Sequence, residues 1–135
     1  MSLGNSLTEI KVKDIMAKEL ISADPSTTLF QIAKMMEQGV GAILVKKDGN
    51  PAGIITDRDF AIKIAANKYS LDMEVEKIAS YPLKTISPDE SIQAAAKSMA
   101  LQKIRKLVVM ENNQIVGIIT STDVVKLVAV DKNAS

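Results

Sequence analysis

Apolar residues along this chain follow two rhythms, and the rhythms alternate in the same order twice. In the first half Leu29, Ile32, Ala33 and Met36 fall at i, i+3, i+4 and i+7, the stripe of an amphipathic helix. Ala42-Ile43-Leu44-Val45 is then an unbroken apolar run, which predicts a buried strand. The turn Asp48-Gly49-Asn50 separates it from a returning strand ending Gly53-Ile54-Ile55-Thr56. After Asp57-Arg58-Asp59, the stretch Phe60-Ala61-Ile62-Lys63-Ile64 predicts a closing helix. The second half gives Ile92, Ala95, Ala96 and Met99, then Leu107-Val108-Val109-Met110, then the turn Glu111-Asn112-Asn113. Gly117-Ile118-Ile119-Thr120, Ser121-Thr122-Asp123 and Val124-Val125-Lys126-Leu127-Val128 complete it. Short extended segments at about 20–23 and 83–86 precede these elements and stop at Asp24-Pro25 and Ser87-Pro88, where proline disfavours further pairing. Thr28 and Ser91 stand where helix N-caps belong, and Gly39 suits a left-handed C-terminal position. Each half therefore reads β-α-β-β-α.

The two halves are copies. Val12-Lys13-Asp14-Ile15-Met16 aligns with Val75-Glu76-Lys77-Ile78-Ala79, and Leu20 with Leu83, at a separation of 63. From Val40 and Ile104 onward the separation is 64, pairing Gly53 with Gly117, Thr56 with Thr120 and Asp59 with Asp123. One residue inserted before Ile104, near the helix end, accounts for the step; an insertion of this kind belongs in a loop. The expected organisation is a small, polar, disordered lead-in at 1–9, repeats at 10–68 and 69–130, and a tail at 131–135. A repeat of about sixty residues buries too little apolar surface to stand comfortably alone. The expected fold is thus α/β (α+β), with two sheets packed face to face about a pseudo-two-fold axis and helices outside.

Composition narrows the chemistry. The 135 residues are 47% hydrophobic and 24% charged, the balance of a soluble globular chain, which at this length buries about 68% of its unfolded surface. No run of eighteen apolar residues and no signal-peptide pattern occurs, so the chain is expected in the cytoplasm and off the membrane. The absence of Cys removes disulfides and thiolate chemistry, and the absence of His removes the usual general base and the commonest metal ligand. With a net charge of +1, two Phe and two Tyr, there is neither broad attraction to nucleic acid nor a stacking platform. The expectation is a protein that is not an enzyme and needs no metal.

The tandem β-α-β-β-α units, the Val-x-Asp-Ile-Met opening at Val12–Met16, the Asp24-Pro25 turn and the Gly-Ile-Ile-Thr-x-x-Asp exits together resemble a pair of CBS domains. These regulatory repeats are named after cystathionine β-synthase. The resemblance covers about residues 10–130 and implies two clefts between the repeats, often holding AMP, ADP, ATP or, less favoured here, S-adenosylmethionine. It also implies a homodimer and a regulatory role. With no attached effector in this sequence, the expectation is a stand-alone module acting on a separate effector protein. The competing reading is a ligand-free adaptor dimer that docks a partner protein; catalysis and nucleic-acid binding come third.

For Thr56 with Asp59 and Thr120 with Asp123, two roles are open. In one, hydroxyl and acid three residues on form a capping box at a helix start. In the other, the carboxylate accepts two hydrogen bonds at once from a ribose 2′,3′-diol, and the helix N-terminus favours phosphate. The resemblance implies the second, with aspartate on ribose and threonine near ribose or phosphate. It also implies that Arg105 and Lys106 face phosphates beside Asp123. Within the repeats, Arg58 lies in the first motif where the second has Thr122, so Asp59 has Arg58 instead, and Gly41-Ala42 leaves space for a base or sugar. The cleft of Asp123 would be walled by Ile15, Met16, Val40 and Ile118, and that of Asp59 by Ile78, Ala79, Ile104 and Ile54. For each wall residue ordinary core packing is the competing role, and Met16, Met35, Met36 and Met99 read as gap-filling core. Unequal clefts are expected, with the Asp123 cleft favoured for a phosphorylated ligand.

Overall fold

The computed structural model describes residues 9–134, with side chains from 9 to 129. Apart from Glu9, the lead-in expected to be disordered lies outside the described residues. The chain order is α1 (Val12–Ile15), β1 (Ser22–Ala23), α2 (Leu29–Glu37), β2 (Ala42–Lys47), β3 (Asn50–Thr56) and α3 (Asp57–Asn67). A 3-10 turn at Val75–Lys77 follows, then β4 (Thr85–Ile86), α4 (Ile92–Gln102), β5 (Lys106–Glu111), β6 (Gln114–Thr120) and α5 (Ser121–Ala134). None of these helices is long and apolar enough to cross a membrane. The backbone of α5 continues to Ala134, so most of the segment expected as a tail at 131–135 is helical.

These elements form two compact units, one spanning Leu20–Leu83 and one made of the chain up to Glu19 together with everything from Lys84. They are called here the middle and the terminal unit. In the middle unit β1 lies parallel to β2 and β2 antiparallel to β3. Leu29 and Ile32 from the apolar stripe of α2 meet Ile43, Val45 and Ile55 from the sheet, all at 0% exposure. Thr28 starts α2 with a reciprocal capping box: its Oγ1 accepts from Gln31 N at 3.2 Å and its N–H donates to Gln31 Oε1 at 2.9 Å. The terminal unit repeats the pattern with β4 parallel to β5, β5 antiparallel to β6, and Ile92, Ala95, Leu107, Val109 and Ile119 fully buried. Ser91 caps α4 by accepting from Ala94 N at 3.0 Å.

Both hairpins turn on two residues with positive φ, Asp48 (+53°) and Gly49 (+83°), and Asn112 (+52°) and Asn113 (+64°). Positive φ at both central positions matches the twist of the flanking strands, which is why Asn, Asp and Gly occupy them. Beyond Val45–Gly53 the register jumps to Lys46–Pro51, and beyond Val109–Gly117 to Met110–Ile115. The jump leaves Ala52 and Val116 as extra residues, and in the first hairpin the irregularity accommodates Pro51, which has no N–H to give a ladder.

The insertion between the copies is not in a loop. Helix α4 has eleven residues against nine in α2, and its extra length sits in the last turn. Gly39 (φ +98°) follows α2, whereas Lys103 (φ +56°) takes the left-handed position after α4.

Each compact unit is completed by a lead segment whose sequence belongs with the other repeat. Val12 is fully buried in the terminal core, and Val12 N and Lys13 N donate to Glu90 O (2.8 Å) and Pro88 O (3.0 Å). The counterpart Val75 is fully buried in the middle core, with Val75 N donating to Thr27 O at 2.8 Å and Leu29 N to Met73 O at 2.9 Å. The repeats at 10–68 and 69–130 describe ancestry of sequence; the packed bodies are cut at Glu19/Leu20 and Leu83/Lys84.

Candidate functional site

In both units the second hairpin strand runs straight into a helix, and threonine marks the junction. In the terminal unit Thr120 Oγ1 accepts from Asp123 N at 3.1 Å, and Thr120 N donates to Asp123 Oδ2 at 3.0 Å. This closed capping box holds the Asp123 carboxylate at the start of α5, with one oxygen engaged by the backbone. In the middle unit Thr56 Oγ1 accepts from Asp59 N at 3.1 Å, but the return bond is not made. Both oxygens of the half-buried Asp59 carboxylate remain available within that unit.

Most of the first N–H groups of these helices are already engaged. Asp57 N donates to Gly41 O (3.1 Å), Arg58 N to Asp57 Oδ1 (2.8 Å) and, in the other unit, Ser121 N to Arg105 O (2.8 Å). At the start of α3 the N–H groups expected to receive a phosphate are satisfied by carbonyls and side chains, and Asp57 and Asp59 oppose a further anion there, while at the start of α5 Ser121 N and Asp123 N are engaged. Near α3 a phosphate would have to be met by basic side chains. Arg105 is exposed, Lys106 is half-buried and directly opposite Thr120 in the β5–β6 register, and Ala42 holds the matching place opposite Thr56. Arg58 and Thr122 are exposed on the first turns of α3 and α5.

The lead segments reach these junctions. Ala17 and Ile118 exchange two backbone hydrogen bonds, Ala17 N to Ile118 O at 2.8 Å and Ile118 N to Ala17 O at 2.9 Å. Ser80 and Ile54 do the same at 2.8 and 3.1 Å. Close approach explains the glycine of each motif. A Cβ on Gly117 would come within 2.6 Å of Met16 Sδ and 2.8 Å of the Ala17 carbonyl, and one on Gly53 within 2.6 Å of the Tyr81 ring. Met16 thus packs against the motif strand, beside Ile15 and Ile118.

Of the residues expected around Asp123, Ile15, Met16, Arg105, Lys106, Ile118, Thr120 and Thr122 lie in the terminal unit, while Val40 and Gly41 lie in the middle unit. Of those expected around Asp59, the middle unit holds Thr56, Arg58, Ile54, Ile78 and Ala79, while Ile104 packs in the terminal core. Among the described residues no group of three Asp or Glu side chains is placed to hold a metal ion.

Two residues escaped the sequence reading. Tyr81 covers Gly53 and donates its hydroxyl to Glu76 O at 3.2 Å; burial, with Glu76 adding, holds its pKa above the ordinary tyrosine value. Lys63, four residues after Asp59, donates to Ile78 O at 2.7 Å and Ser80 Oγ at 3.1 Å. The i, i+4 spacing from Asp59 is the signal that could have found Lys63. Nothing local in the sequence announces the Tyr81 contact.

The CBS domain family matches residues 12–66 and 75–130. The chain belongs to the CBS-domain family. It is 34% identical over 113 residues to the CBS domain-containing protein YhcV of Bacillus subtilis, covering 83% of this chain and 81% of that protein. It is 31% identical over 125 residues to an uncharacterized protein of Methanopyrus kandleri, covering 90% of this chain but only 64% of the relative's length. Among solved structures, the CBS domain pair of the protein MJ0100, in complex with 5′-methylthioadenosine and S-adenosyl-L-methionine, matches with a TM-score of 0.77. The identity is 28%, over 89% of this chain and 96% of that one. CBS pairs are regulatory ligand-binding modules, and this chain has the tandem α+β repeats of such a pair.

Proposed function

We propose that this protein is a non-catalytic sensor of adenine ribonucleotides, with AMP, ADP or ATP gripped at the strand-to-helix junctions by Asp59 and Asp123. The observation that carries the reading is a half-buried aspartate at each helix start, its backbone N–H bonded to the junction threonine, Asp59 to Thr56 and Asp123 to Thr120. The Asp123 carboxylate, held also by Thr120 N, is pre-organised for the two adjacent hydroxyls of a ribose, so little ordering cost remains on binding there, and Asp59 has both oxygens to offer them. Support comes also from the MJ0100 pair, whose two ligands both contain adenosine. Arg105 and Lys106 would meet phosphates on the Asp123 side. Binding would shift the protein between arrangements by no more than the ligand's difference in affinity for them, and a dimer or separate effector protein would read the shift.

An adaptor that docks a partner without ligand is the second reading. It draws on the exposed face of α4, where Ala94, Lys97, Ser98, Leu101 and Gln102 line a shallow depression of about 290 Å³ and Leu101 is 73% exposed. Calorimetric titration with AMP, ADP, ATP and S-adenosylmethionine separates the two. The sensor reading expects saturable binding of at least one adenine nucleotide, and heats indistinguishable from dilution for all four would leave the adaptor.

A further inference from the structure

On helix α3, Asp59 and Lys63 stand one turn apart in the order, acid before base, that favours an i, i+4 ion pair. They do not form one. The Lys63 ammonium is drawn to the lead segment by the Ile78 carbonyl (2.7 Å) and the Ser80 hydroxyl (3.1 Å), and the Asp59 carboxylate is left without a counter-charge. Both side chains are half-buried, and neither has an ion-pair partner among the described residues. An ammonium has three N–H donors and Lys63 uses two of them on neutral acceptors. A half-buried cation without a counter-charge is costly, and packing does not call for one: the matching position on α5 is Leu127, packed against the terminal core.

We propose that Lys63 is the counter-ion for an anionic group of the ligand held by Asp59, so that the middle unit selects a phosphorylated ribonucleoside over a neutral one. The inference rests on the ribonucleotide reading of Asp59 and names the residue that meets the phosphate at that site. The open pair offers an acceptor end for sugar hydroxyls and a donor end for a phosphate, the latter held beside the Ile78 carbonyl and the Ser80 hydroxyl. The terminal unit, with Leu127 in place of the lysine, lacks this donor and relies on Arg105 and Lys106. Lys63 is therefore a specificity residue that also ties α3 to the lead segment, and the two roles separate experimentally.

The test uses the full chain carrying Asp123→Asn, which keeps an oxygen for the Thr120 cap while weakening the other site. AMP and adenosine are titrated calorimetrically into this protein and into versions that also carry Lys63→Leu, Lys63→Gln or Lys63→Arg. AMP should bind at least tenfold more tightly than adenosine, with the advantage shrinking as salt is raised. Lys63→Leu and Lys63→Gln should abolish that advantage while adenosine affinity stays within about threefold, and Lys63→Arg should keep it. Equal affinity for AMP and adenosine before Lys63 is changed, or equal losses for both after, would overturn the proposal and leave Lys63 a structural tie. If neither compound binds any version, the ribonucleotide reading itself falls. Should Lys63→Leu fail to fold, the glutamine variant decides.

Discussion

At the scale of single residues, the two motif aspartates do different work although their sequence contexts match. Asp123 closes a box onto Thr120 N, whereas Asp59 does not reach Thr56 N. Asp123→Ala should therefore cost about 1 kcal/mol of stability, the usual value of a lost cap, and Asp59→Ala less than half of that; urea denaturation compares them. The motif glycines differ in a parallel way. A Cβ on Gly117 meets a backbone carbonyl that cannot swing away, while one on Gly53 meets the ring of Tyr81, which is 43% exposed and can move. Gly117→Ala should cost about 1–3 kcal/mol and Gly53→Ala clearly less, read from the same denaturation curves. The sequence displayed both glycines, both threonines and both aspartates at matching spacing. It concealed which carboxylate the backbone engages and what crowds each glycine, because those depend on segments distant along the chain.

Among the elements, nearly all boundaries follow from apolar rhythm and turn chemistry. Thr28 and Ser91 cap their helices, and the runs at Ile43–Val45 and Leu107–Val109 are buried strands. The inserted residue behaves otherwise than expected because a helix can absorb one more position in its last turn, provided some residue accepts the left-handed stop. Lys103 accepts it with φ +56°, a conformation that penalises any side chain with a Cβ. Lys103→Gly should therefore stabilise the protein by about 1 kcal/mol, raising the melting temperature by a few degrees in a calorimetric scan.

At the level of the whole molecule, the lead segments set the cooperative bodies. Val12 and Val75 align in the repeat, but a repeat offers two equivalent holes and sequence alone cannot say which hole each valine fills. The structure puts Val75 in the middle core and Val12 in the terminal one. A fragment of residues 20–83 keeps Val75 and should show a cooperative thermal transition by circular dichroism. A fragment of residues 10–68, cut at the apparent repeat boundary, lacks the segment that bonds Thr27 and Leu29 and should not. Function enters at this scale too, since a lead segment pairs with each motif strand just before its junction, Ser80 on Ile54 and Ala17 on Ile118. The account turns on those aspartates reading a sugar. Calorimetric titration of the intact chain with AMP and with 2′-deoxy-AMP tests it most directly: the ribonucleotide should bind at least tenfold more tightly, and equal affinities for the two would contradict it.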